Sequence, residues 1–233
     1  MKEKIITRKD VEETLKTRDL VLSDYAIQEK VLDCVFSQYP RNTDYNVVLL
    51  KVTLLNQFYS TGIRDVKSVA RHIVTCKIDA ELAKGKPDVV HKIALVKHGK
   101  NQTLINHFSF ATKYCSFHQP NFYPIYDDYV YSVLSKLKSE LKCGQFSQEK
   151  FKDKGWKKEN KECGYNHFHK VYDAFIAFYH NAFEGLNYKQ VDKYIWGSRK
   201  IASLKKGDDH IDKKNRNVYE TIVKNNINTI VSK

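Results

Sequence analysis

Asp127 is the residue whose setting in this sequence best suits chemistry. It follows a short segment bounded by Pro120 and Pro124 and stands at the expected start of a helix running through Val130 and Leu134, amid aromatic and basic residues. A carboxylate held at a helix N-terminus is favoured in its ionised form, ready to stabilise positive charge or orient a water. The same aspartate would serve as an N-cap, accepting orphan backbone N–H groups, and the two roles are compatible. Lys113 lies 14 positions earlier, one helical turn beyond Ser109. Desolvated beside aromatic rings its amine would be a nucleophile; otherwise it is one solvated lysine among many. Gln57, in LLNQFYST, ends the most apolar predicted helix and either projects into a cleft or lies on the surface as a helix-terminal amide.

Other chemistries lack their residues. His167 and His169 are two apart, His107 and His118 eleven apart, and neither spacing suits a metal-binding helix, so no metal and no cofactor are expected. No G-x-S-x-G, P-loop or dinucleotide fingerprint is present, which removes support for acyl transfer, nucleotide hydrolysis and hydride transfer. Cys34, Cys76, Cys115, Cys143 and Cys163 are odd in number and include no C-x-x-C pair, so reduced thiols are expected. The start MKEKIITRKD has no apolar core, and Lys51 interrupts the strongest apolar run; a soluble cytoplasmic protein, nucleoid-associated if bacterial, with no membrane partner is expected.

The 233 residues suffice for a single all-α domain, or two lobes meeting at a cleft near 57–60 and 106–134. A formal net charge of +13, from 40 Lys+Arg against 27 Asp+Glu, points to a polyanionic partner, with nucleic acid first. No obligate protein partner is implied.

Apolar spacing predicts helices over 9–17, with Thr7 or Asp10 as cap, and over 22–38 before Pro40. Residues 45–61, apolar on almost every face, are the expected central helix. Shorter helices follow at 65–75, near 78–84 and at 88–97. After a polar loop at 98–103, a helix carries Leu104, Ile105, Phe108 and Ala111 on one face. The helix from Asp127 buries Val130, Leu134, Leu137 and Leu141. Nine lysines and four acidic residues then lie between Lys136 and Lys161, suggesting a solvated loop or a phosphate-facing insertion. Helices over 166–184 and 188–202 and a C-terminal helix with Val218, Ile222 and Ile227 complete the chain.

Two stretches together resemble the helix-hairpin-helix DNA glycosylase superfamily, which includes endonuclease III and the 8-oxoguanine glycosylases. LLNQFYS at 54–60 is similar to that family's buried helix ending in a glutamine-containing turn, with Gln57 at the glutamine. FSFATKYCSFHQPNFYPIYDDYVYSVL is similar to its hairpin helix, proline-containing turn and catalytic aspartate, with Asp127 at the aspartate. The chain departs from the family in three ways: INHFSFATK lacks the glycines whose N–H groups bind a phosphate, Ser109 stands where bifunctional members carry their lysine, and the four-cysteine cluster is absent.

The resemblance implies an enzyme that flips a damaged or modified base out of double-stranded DNA and hydrolyses its glycosidic bond, monofunctional rather than a lyase. Asp127 would stabilise the oxocarbenium-like sugar, with Lys113 as a second catalytic candidate. Phe58, Tyr59 or Phe117 would stack the base, and Gln57 would fill the gap left behind. Lys113, Lys136, Lys138 and the basic segment ahead of Trp156 would contact phosphates. Two alternatives stay open: a non-catalytic nucleic-acid-binding protein on the same scaffold, and a metal-dependent nuclease, for which Asp127 and Asp128 alone are few carboxylates.

Overall fold

A computed structural model of the chain describes residues 6–141, 147–153 and 163–206, and helix dominates them, as the apolar spacing predicts. α1 (Arg8–Val21) opens on a capping box: Thr7 accepts from the Asp10 amide, and the Asp10 carboxylate accepts from the Thr7 amide at 3.0 Å. α2 (Ser23–Gln38) stops ahead of Pro40. Asp44 caps α3 (Tyr45–Tyr59), which ends at Ser60 in the left-handed conformation. α4 (Val66–Cys76), α5 (Asp79–Ala83) and α6 (Asp88–Ala94) are the expected short packing helices.

The chain then departs from the all-helical expectation. β1 (Leu95–His98) and β2 (Thr103–Asn106) pair antiparallel, Leu95 opposite Asn106 and His98 opposite Thr103. Left-handed Gly99 and Gln102 make the turn, and the His107 amide closes the base on Ala94 O at 2.8 Å. Leu104 and Ile105, predicted on a buried helical face, are exposed in β2. Four-residue strands with β-branched Val96, Thr103 and Ile105 fit a hairpin as well as the edge of a helix, and periodicity over so short a run does not distinguish the two.

α7 (Phe108–His118) is the true centre. Phe108 and every residue from Phe110 to Phe117 are buried, whereas α3, expected in that role, buries Val48, Lys51, Val52 and Leu55 and leaves Leu50 exposed. α8 (Asp128–Lys136), α9 (Lys138–Leu141) and α10 (Gln148–Lys152) follow. The predicted helix 166–184 is α11 (Gly164–Phe178) and α12 (His180–Phe183), broken at Tyr179. Gly164 starts α11 because any Cβ there would fall 2.0 Å from Lys150 O. α13 (Tyr188–Lys206) packs along α1 and α8. One apolar cluster runs from Val11 to Ile195. No helix among the described residues is long and apolar enough to cross a membrane. Residues 142–146 and 154–162, which include Trp156, and the predicted C-terminal helix lie outside the described residues, whereas Lys150 and Lys152 of the basic run stand on α10, which buries Phe151.

Candidate active site

The segment leading to Asp127 is clamped at three points. Thr112 on α7 accepts from the Tyr126 amide at 3.1 Å, the Tyr165 hydroxyl donates to Pro124 O at 2.9 Å, and the Tyr123 hydroxyl donates to Lys86 O at 3.1 Å. Tyr123, Ile125 and Tyr126 are buried, so the turn is part of the core. The chain emerges extended at Asp127, whose Oδ1 accepts from the Val130 amide at 2.8 Å and caps α8. Among the described residues Oδ2 has no hydrogen-bond partner.

Asp127 lines a cavity of about 210 Å³ walled by Tyr25, Phe58, Tyr59, Tyr129 and Trp196. Tyr25 and Trp196 meet edge to face with centroids 4.8 Å apart. Three cations, Arg18, Lys193 and Lys200, and two further carboxyls, Glu29 and Asp192, share the wall. Arg18 is buried against Glu29 at 2.6 Å, Lys193 pairs with the other Glu29 oxygen at 3.0 Å, and the Tyr59 hydroxyl donates to Glu29 at 3.4 Å. Gly197 makes this possible: a Cβ there would press 3.1 Å from the Arg18 side chain. The Arg18 guanidinium stands 5.6 Å from the Trp196 ring, while Arg199 lies 4.3 Å from the Tyr129 ring centroid.

Asp192 differs from Glu29. It is 8 % exposed, and its Oδ1 has no hydrogen-bond partner among the described residues. Burial and the neighbouring Asp127 charge push its carboxyl well above the usual range, against a smaller opposing pull from Lys113 and Arg18. The cavity therefore brings together a helix-capping aspartate and a second carboxyl whose protonated form burial favours.

Of the residues singled out in the sequence, Asp127, Phe58 and Tyr59 line this cavity. Lys113 is buried behind it, donating to Ser109 Oγ at 2.8 Å, with Nζ 5.6 Å from the Tyr59 ring centroid. Ser109 serves as that lysine's acceptor. Phe117 is a core residue beneath Lys189, whose Nζ is 3.6 Å from its ring centroid, and does not face the cavity. Gln57 is exposed and does not line the cavity; Lys136 is exposed, and the Lys138 side chain lies outside the described residues. Asp192, Arg18, Glu29 and Trp196 carry no signal of this site in the sequence. Asp192, Trp196 and Lys200 recur every fourth residue along one face of α13, a row that reads as ordinary solvated surface unless α8 is known to face it. Among the described residues no group of three His, Cys, Asp or Glu side chains could hold a metal.

A second buried polar cluster lies between α3 and α7. Asn42 Oδ1 accepts from the Tyr114 hydroxyl at 2.5 Å, from His118 Nε2 at 3.0 Å and from Lys51 Nζ at 3.2 Å. Its Nδ2 donates to Asp79 at 2.7 Å, and Lys51 also reaches Arg41 O at 3.0 Å. Burial lowers Lys51 to about 8, and burial with the Lys51 charge lowers His118 to about 3.

Residues 4–122 match the family HI_0787_N, described as an N-terminal domain. An uncharacterized protein of Haemophilus influenzae is 30% identical over 182 residues, 78% of this chain and 76% of that one. No solved structure matches at a significant level.

Proposed function

We propose that this chain, which belongs to the HI_0787_N family, is a DNA N-glycosylase that receives an extruded base in the cavity at Asp127 and hydrolyses its glycosidic bond. The observation that carries this reading is a carboxylate fixed by its own helix start and facing an aromatic-walled cavity. Breaking the bond leaves the sugar oxocarbenium-like, so a fixed anion beside it favours the transition state over the ground state. Because the capping bond occupies Oδ1, Oδ2 is free to face the sugar or to orient the attacking water. Phe58, Tyr129 and Trp196 offer faces for stacking, and the formal charge of +13 suits the phosphate backbone. Lys113 engages Ser109 behind the wall, which favours simple hydrolysis over a covalent lysine intermediate.

The test is binding to a duplex carrying a cationic pyrrolidine abasic analogue against the same duplex unmodified. Wild type binds the analogue much more tightly, and Asp127→Asn loses the preference. Equal, salt-sensitive binding to both duplexes would establish the second reading, a non-catalytic nucleic-acid-binding protein. One observation favours that alternative: a β-hairpin at 95–106, rather than a glycine-rich loop, joins α6 to α7.

A further inference from the structure

Accepting the glycosylase reading, we infer that Asp192 is a second catalytic carboxyl, which hands its proton to a ring nitrogen of the departing base and so extends the site to neutral bases that carry such an acceptor. Two features lead here. Asp192 shares the cavity with Asp127, and its Oδ1 is a buried polar atom without a partner among the described residues. Buried polar atoms are almost always satisfied, and a carboxyl on a cavity wall whose inner oxygen has no partner is set apart from a structural one.

The groups facing Asp192 explain why it keeps its proton. Arg18 on α1 and Lys193 on α13 are spent on Glu29 of α2. Lys113 on α7 is engaged by Ser109. Tyr59 on α3 and Tyr172 on α11 are neutral phenols, held so mainly by burial. Burial first, then Asp127 on α8 and Glu29, both charges of the same sign, outweigh the opposing pull of Lys113 and Arg18. An ionised Asp192 would be a buried charge without a dedicated partner, so the protonated form is the one this wall accommodates.

In the reaction, the C1′–N bond breaks with its electron pair going to the base. The Asp192 proton passes to a ring nitrogen, so the base leaves neutral, and Asp192 becomes a carboxylate. Asp127 stabilises the sugar cation until water adds at C1′. The proton that water releases restores Asp192 through solvent, giving free base and sugar hydroxyl from nucleoside and water. A base already cationic through N-alkylation leaves without that proton. The site is therefore built for neutral purines, including deaminated and oxidised ones, whose ring nitrogens accept.

The experiment compares single-turnover release of hypoxanthine and 8-oxoguanine with release of the cationic 7-methylguanine from duplex DNA. Asp192→Asn, isosteric with the neutral acid, should lose on the order of 100-fold or more on the neutral purines. On 7-methylguanine it should stay within a few-fold of wild type. Its melting temperature and infrared spectrum are recorded alongside, with Asp192→Ser as a second variant. Wild type should show a protonated-carboxyl stretch at pH 7 that both variants lack. Equal loss on both substrate types, no loss on either, silence of wild type on every neutral purine, or an ionised Asp192 at pH 7 would overturn the inference. Asp127→Asn reports separately: full base release by that variant sinks the glycosylase reading itself, whatever Asp192 does.

Discussion

Around Asn42 each polar side chain of the cluster is answered by another. Three donors converge on Asn42 Oδ1, its amide donates to Asp79, and the Lys51 ammonium has two oxygens. Around Asp192 the pattern is different. Glu29 is surrounded by donors, yet the Asp192 carboxyl, which lines the same cavity, has a buried oxygen without a partner among the described residues. Both clusters are buried and both hold shifted groups, so burial and perturbed titration do not separate structure from function here. Completeness does: a network satisfied from within stabilises the fold, and one satisfied from one side only leaves room for a ligand.

Substitutions break or sharpen that contrast. The largest effect is expected at Asp127→Asn, which should lower base release by about 10³-fold, ~4 kcal/mol of transition-state stabilisation. Asparagine caps helices as well as aspartate, so the melting temperature should barely move. A fall in stability matching the lost activity would place Asp127 with the satisfied cluster. Next, Asn42→Ala should cost about 3 kcal/mol in urea unfolding, because it strands the Lys51 charge and two other donors. Activity per folded molecule should stay the same.

The third effect is of pH on stability. The folded protein refuses a proton at His118 until about pH 3, whereas the unfolded chain accepts it near 6.5. The unfolded state thus binds more protons between those values, and stability falls as pH drops through that window, by up to about 1.4 kcal/mol per pH unit. Lys51 on α3, in the same network, opposes protonation at His118; Asn42 Oδ1 fixes Nε2 as donor, and the Phe36 ring packs 4.8 Å away. Denaturant midpoints from pH 7 to 4 should show this slope in wild type and a flatter one in His118→Asn. The smallest effect is at the cavity rim: Lys200→Gln should weaken DNA binding about equally for every sequence and reduce the salt slope by about one.

Much of the scaffold was legible because helix starts and stops carry local chemistry. Thr7 with Asp10, and Asp127, announce their helices, and Val130, Leu134, Leu137 and Leu141 lie inward as their spacing requires. The central place of α7 is masked in the sequence because Ser109, Thr112, Lys113 and Ser116 dilute its apolar character, although Thr112 and Lys113 bond within the core. Lys51 misleads in the other direction: it looks like a solvated interruption of an apolar helix and is in fact fully buried. Asp127 was legible from its own neighbours in sequence, whereas Asp192 was not, since its meaning arises from α8 and α1, dozens of residues away. Phe117 failed as a stacking residue for the same reason, because the chain that covers it is Lys189.

The buried turn before Asp127 has a consequence for how this chain can vary. Pinned at Tyr123, Pro124 and Tyr126 by partners on α7, on α11 and in the α5–α6 connection, it works as a gauge block rather than a connector. One residue inserted there would leave composition, charge and helix propensities almost untouched, yet would offset the start of α8 by about 3.3 Å. The carboxylate would then cap a helix that points past the cavity. Among the surface loops, length is free to drift; between Phe122 and Asp127, it is a fixed dimension of the site.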